Sequence, residues 1–182
     1  MDPLINSITN RRSVREFNGD PVERHKLLLC AEAGRIAPSA CNSQPWKFVI
    51  VDDPAKKSSL ARVAFAGAYG MNSFAARAGA FIVIVSEPLK MAASIGQLFR
   101  GTDFRLMDTG IACAHITLQA TELGIDSCIL GWFDEKKTKK ILHIPPTRNV
   151  PLMIALGYGV TGPRGERSLK PREDTMSLNT YK

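Results

Sequence analysis

Arg11, Ser13 and Arg15 sit two residues apart in the run Arg11-Arg12-Ser13-Val14-Arg15. In an extended chain, side chains at i, i+2 and i+4 share a face. Two guanidinium groups and a hydroxyl would then converge on one point. That set suits a phosphate, because guanidinium offers forked, charge-assisted donors. The same residues would also make an ordinary solvated basic turn, since charged side chains mostly face water. Val14 and Phe17 interrupt the charge and Gly19-Asp20-Pro21 stops the run, which agrees with extension. A second polar stretch, Pro38-Ser39-Ala40-Cys41-Asn42-Ser43-Gln44-Pro45-Trp46, reads as an ordered loop entering a strand. Together the two segments point to a protein that grips a phosphorylated cofactor.

Other chemistry-bearing residues carry less. None of the four cysteines, Cys30, Cys41, Cys113 and Cys128, forms a CxxC pair or sits at zinc-ligand spacing. Cys30, Cys113 and Cys128 lie in apolar periodic segments and read as small buried hydrophobes. Cys41 lies in the polar loop, where a redox role is conceivable. His115 lies in an apolar helical segment and reads as a hydrogen-bonded core residue rather than a ligand. Lys136-Lys137-Thr138-Lys139-Lys140 reads as the solvated face of a helix. The net charge of +7 raises the question of a polyanionic partner, but the basic residues are scattered and no aromatics interleave them. Nucleic acid is therefore not the expected partner.

The elements that must position these residues follow from pattern. The chain has 182 residues, 45% of them hydrophobic, which predicts one ordinary domain spanning 1–182 with a proper core. No apolar run reaches membrane-spanning length and no charged-then-apolar leader opens the chain, so a reducing cytoplasm is the expected setting. Asp2-Pro3, Asp20-Pro21 and Asp53-Pro54 each place Asp at a helix N-cap and Pro at the first helical position. With Glu23 as a capping box, a helix is predicted from Pro21 to about Ile36, with Leu27, Leu28, Cys30 and Ala31 facing the core. Residues 54–66 and 71–78 predict two more helices. The longest should run from about Phe104 to Leu123, stopped by Gly124 and so apolar that it must lie in the core or at a subunit interface. Lys47 to Val51, Ala80 to Val85, Ser127 to Leu130 and Leu152 to Gly157 predict strands. Phe81 to Val85 is apolar on both faces, as in a strand covered on both sides. The fold class is α+β, with helices in excess. From Gly162 onward the chain reads as a basic arm with Leu169, Met176, Leu178 and Tyr181 as anchors.

At this point the chain is similar to the FMN-dependent nitroreductase family over nearly its whole length. The similarity rests on the two segments above and two more. The third runs from Asp108-Thr109-Gly110-Ile111 through the long helix to Leu123-Gly124-Ile125-Asp126-Ser127-Cys128-Ile129-Leu130-Gly131-Trp132-Phe133. The fourth is Val150 to Gly159 with the tail bearing Lys170-Pro171. The resemblance implies a layered fold, a central mostly antiparallel sheet flanked by helices, in an intertwined homodimer. It implies FMN at two interface sites. Arg11, Arg12, Ser13 and Arg15 would hold the phosphate, ribityl and pyrimidine end. Pro38, Ser39, Ala40 and Asn42 would come from the other subunit toward the isoalloxazine ring. Leu130 and Gly131 would lie beside the ring through their backbone. Lys170, with Arg167 or Arg172, would reach the phosphate, and 162–182 would pack across the partner. Asn72 is a further possible contact.

The activity so implied is hydride transfer from NADH or NADPH to flavin N5, then to a flat, electron-poor nitroaromatic or quinone-like acceptor, with ping-pong kinetics. No side chain is required as nucleophile or general acid, so no catalytic residue is assigned, and no metal. The same fold also hosts dehalogenating and flavin-modifying reactions, and a flavin-binding role without catalysis is a further alternative. Two departures from the family pattern stand out. Residues 87–102 are compact where longer members carry helices over the flavin, and Ala40 and Cys41 replace residues that are often hydroxylated.

Overall fold

The four apolar runs form one antiparallel sheet, β1 Trp46–Val51, β2 Ala80–Ser86, β3 Asp126–Leu130 and β4 Asn149–Gly157, in the order β1-β2-β4-β3. The computed structural model describes residues 3–160 and 167–181. All seven residues of β2 are buried, as its two-faced apolar pattern predicts. The alternation divides the core into two layers. Phe81, Val83 and Val85 pack on one side with Leu60, Phe65, Cys128, Met153 and Phe133. Ile82 and Ile84 pack on the other with Leu27, Cys30, Cys113, Ile116 and Ile154. The helices α1 (Pro3–Asn10), α2 (Arg24–Arg35), α3 (Pro54–Ala64), α4 (Met91–Arg100), α5 (Phe104–Glu122) and α6 (Glu135–Ile141) complete the fold. The layers are α2 and α5, the sheet, then α3 and α6. The α+β expectation holds.

Where local chemistry decides, the sequence locates the elements well. Asp53 caps α3 by accepting from Lys56 N–H at 2.7 Å, with Pro54 first in the helix. Asp134 caps α6 in the same way, and Lys137 and Lys139 pair with Asp134 and Glu135 on its solvated side. Asp2 lies outside the described residues.

Where tertiary contacts decide, the elements shift. α2 begins at Arg24, not Pro21, and no capping box forms. Residues 17–22 instead run along the end of the sheet: Phe17 bridges Gly159 and Asn18 N–H donates to Tyr158 O at 2.9 Å. Glu23 is taken by Tyr158 Oη at 2.5 Å and Lys26 Nζ at 2.9 Å, and these bonds hold its carboxyl down at about 2. Leu28, expected in the core, is exposed. Residues 67–77 are a long 3₁₀ stretch rather than an α-helix at 71–78. α4 arises within the 87–102 segment, ended by Gly101 in the left-handed region. α5 buries Asp108, Thr109, Ala112, Cys113, Ile116, Thr117 and Ala120 but leaves Met107, Gly110, Ile111 and Ala114 exposed. His115 lies on the half-buried side, against a cleft of about 430 Å³ shared with Leu4, Ser7 and Ile36, and its imidazole makes no hydrogen bond among the described residues.

Gly79 shows how tightly the entry to α2 packs. A Cβ there would sit 2.5 Å from Asp20 O and 3.0 Å from Val22 N, both backbone atoms. Gly79→Ala is therefore expected to lower stability by about 1–3 kcal/mol through overpacking. An unchanged urea midpoint for the variant would contradict this.

Candidate cofactor site

The first group of site residues lies along the outer edge of β3. After α1, the chain runs extended past that strand: Ser13 bridges Ser127 in parallel, and Val14 N–H donates to Ser127 O at 3.0 Å. The side chains alternate accordingly. Val14 packs against the core. Arg12 turns back onto α1, where its guanidinium donates to the carbonyls of Thr9 and Arg11. Among the described residues neither Arg11 nor Arg15 has a carboxylate within ion-pair reach. Both lie near Cys128, where they oppose the rise that burial gives its thiol. Arg11 acts likewise on Cys113, which burial pushes up to about 12. Two uncompensated guanidinium groups thus flank the middle of β3, beside the exposed Ser13.

β3 leads from this point to Leu130 and Gly131. At about 3.3 Å per residue, Ser127 to Gly131 spans roughly 13 Å. Leu130 is buried, whereas Gly131 is exposed, and a Cβ there would meet only Leu152 Cδ2 at 3.8 Å. The Gly131 backbone is open to close approach by a flat group. The turn beyond it is fixed. Trp132 Nε1 donates to Ala68 O at 3.0 Å, and Asn72 Nδ2 donates to Trp132 O at 2.8 Å. Asn72 is thereby committed to the protein through its amide nitrogen.

The second group is the loop between α2 and β1. Residues 40–42 form a 3₁₀ turn, and Cys41, Asn42 and Gln44 all adopt positive φ near 50°. Such backbone is sparsely populated for residues other than glycine. Ser39 Oγ accepts from Gln44 N–H at 2.9 Å, and Asn42 Oδ1 accepts from Gln44 Nε2 at 2.8 Å. The Ser39 hydroxyl proton and the Asn42 amide nitrogen remain free to donate outward. Ala40 offers no backbone group: its N–H goes to Asp108, and its carbonyl accepts from Ser43 N–H at 3.0 Å. Only its methyl remains to face a ring. Cys41 is an exposed free thiol, and Pro38 is exposed at the loop's start.

No hydrogen bond or ion pair between described residues joins the β3 group to the loop within one chain. The tail supplies a third group. Arg167 Nη1 reaches Ile8 O at 3.4 Å, at the end of α1 that leads into Arg11. Lys170 and Arg172 are exposed. Residues 162–166 and 182 lie outside the described residues.

Asp108 opens the third segment of the resemblance, but motif reading gave its side chain no role. It is 4% exposed on α5 and accepts from Ala40 N–H with both oxygens, at 3.1 and 3.2 Å. Burial pushes its carboxyl up, and the Ala40 bond pulls it back. The available signal was an acid well inside an apolar helix whose other acid, Glu122, lies at its end, which reveals burial but not the partner.

Comparison with known proteins agrees with this geometry. Residues 8–158 match the model of the nitroreductase family. A protein named NADH dehydrogenase from Thermus thermophilus is 29% identical, with 86% of this chain and 88% of that protein covered. An oxygen-insensitive NADPH nitroreductase from Helicobacter pylori is 28% identical over 86% of this chain and 85% of its own. The solved structure of an FMN-dependent nitroreductase from Clostridium difficile superposes with a TM-score of 0.76 at 25% identity, covering 97% of this chain and 99% of that one. The match spans both groups of site residues and all four strands, and the chain belongs to the nitroreductase family.

Proposed function

We propose that this chain is an FMN-dependent NAD(P)H oxidoreductase that reduces nitroaromatic or quinone-like acceptors and operates as a homodimer. Family membership and the names of the relatives support a nicotinamide-linked oxidoreductase that uses FMN. The carrying observation is the pair Arg11 and Arg15, two guanidinium groups without carboxylate partners beside an exposed hydroxyl and an open glycine backbone. A phosphate at one end and a flat ring at the other would satisfy both features.

In this reading Arg11, Ser13 and Arg15 hold the phosphate, ribityl and pyrimidine end, and Arg167 and Lys170 add charge from the arm. Arg12 points its Nη1 at the carbonyls of Thr9 and Arg11, which leaves its backbone to face the cofactor in this reading. Leu130 and Gly131 offer backbone alongside the ring. From the partner subunit's loop would come Pro38, the Ser39 hydroxyl, the Ala40 methyl and the Asn42 amide. When bound, FMN supplies the two-electron chemistry, taking hydride from NADH or NADPH and passing it to an acceptor that follows into the same place, a ping-pong sequence. The protein binds and orients, and its cationic groups favour the charge that develops on the pyrimidine edge. No side chain need act as nucleophile or general acid.

The dimer is supported by what a single chain leaves uncovered. Leu4, Ile5 and Ile8 on α1, Leu28 and Leu29 on α2, and Met107 and Ile111 on α5 are exposed. The arm's Leu169, Met176, Leu178 and Tyr181 find no cover within the chain and would pack on the partner. A cytoplasmic location accords with four free cysteines. No described helix is long and apolar enough to cross a membrane.

The test is the visible spectrum of the purified protein, before and after NADH or NADPH is added without oxygen. Flavin bands that bleach are the expected result. Bands that persist would favour a flavoprotein closed to pyridine nucleotide. A colourless protein that also fails to take up added FMN would overturn the reading.

A further inference from the structure

We propose that Asp108 is the positioning residue of the cofactor loop: its buried carboxylate holds the Ala40 amide inward and so fixes the left-handed turn that presents Ser39 and Asn42. The bonds within residues 39–44 do not by themselves fix the place of the turn. Asn42 N–H to Ser39 O (2.9 Å), Ser43 N–H to Ala40 O (3.0 Å) and Gln44 N–H to Ser39 Oγ (2.9 Å) tie the loop to itself. Toward β1 the loop is held by Lys90 N–H to Ser43 Oγ at 3.3 Å and Glu87 N–H to Pro45 O at 3.0 Å; at the turn itself the attachment to the rest of the protein is Asp108 on α5. Cys41, Asn42 and Gln44 all occupy backbone conformations that persist only when the surroundings over-determine them. A neutral side chain could accept one amide bond. A carboxylate accepts more strongly, and both oxygens here lie within reach of the same N–H. Asp108 has no other hydrogen-bond partner for its side chain among the described residues, so the acid is buried for this bond alone. Burying it there is costly, which argues for a role that the packing of α5 does not itself require.

The consequence is specific. With Asp108 in place, Ala40 shows only a methyl, and the two free donors are those of Ser39 and Asn42. Without it, the Ala40 N–H is released, and the turn loses the bond that sets its orientation against α5.

This inference rests on the FMN reading for its binding arm, but its structural arm stands alone. Amide hydrogen exchange would be followed across residues 39–44 in the flavin-free protein, for the wild type, D108A and D108N. FMN affinity would be measured for all three by fluorescence titration. D108A should speed exchange at Ala40 and its neighbours by about tenfold or more and weaken FMN by about tenfold, as expected for loss of one charge-assisted bond. D108N, whose amide oxygen can still accept from Ala40, should recover most of both. Unchanged loop exchange in D108A would overturn the proposal, as would equal loss in D108A and D108N. If D108A fails to fold, wild-type-like loop exchange in D108N supports the proposal, and fast exchange overturns it. A wild type that takes up no FMN would defeat the FMN reading and leave the exchange result to decide the role of Asp108.

Discussion

Arg11→Ala should weaken FMN binding by roughly 10- to 100-fold, the range expected when one charge-assisted contact to a phosphate is removed. Its melting temperature without flavin should barely move. Arg11 makes no ion pair among the described residues, so the folded chain loses little with it. Removing the charge also relieves an uncompensated cation beside the buried strand β3. Arg15→Ala should act in the same direction but less, because Arg15 is the more exposed of the two. Arg11→Lys should recover only part of the loss, since an ammonium cannot reproduce the forked donor pair. Arg12→Ala is the informative control. Its guanidinium turns through Nη1 to the carbonyls of Thr9 and Arg11 at the end of α1, so its loss should fall on stability more than on the flavin. Fluorescence titration of the flavin-free protein with FMN separates these cases. Equal affinity in Arg11→Ala and wild type would remove Arg11 from the phosphate site.

The alternating contacts of Arg11 to Arg15 were legible because extended chain has a period of two and the stop at Gly19 is local. The N-cap at Asp53 and the two-faced burial of β2 were legible for the same kind of reason. The start of α2 was not. Asp20-Pro21 carries a sound capping signal, but Gly79 lets the backbone of Asp20 and Val22 approach the sheet, and packing there outweighs the cap. α4 was missed because Lys90 at its N-cap makes no side-chain cap bond, although Gly101 marks its end. In the site, side chains chosen for chemical type could be read directly. Leu130 and Gly131, whose proposed role is through backbone, are ordinary residues by type, so only the family resemblance could suggest them. Asp108 meets Ala40 across 68 positions of sequence, and no local pattern records that meeting.

A charge placed on the exposed face of α5 should separate the subunits and empty the site together. Met107 and Ile111 lie on that face with the small residues Gly110 and Ala114 between and beyond them, a surface on which two helices can approach closely. Leu4, Ile5 and Ile8 on α1 and Leu28 and Leu29 on α2 add further exposed apolar side chains. Ile111→Lys would bury an unpaired ammonium between subunits, which costs about 3–5 kcal/mol where no partner is supplied. The isolated chain should tolerate the change, because Ile111 is 38% exposed there and the lysine can reach solvent. The variant should therefore stay folded, sediment or scatter light as a monomer, and come off the column without flavin. The loss of flavin follows from the proposed shared site: among the described residues the two groups make no hydrogen bond or ion pair with each other, and in that reading a second copy brings the loop at Ser39–Asn42 to the guanidinium groups beside β3. A folded Ile111→Lys monomer that keeps its FMN would show that one subunit suffices, and the shared-site dimer would have to be abandoned.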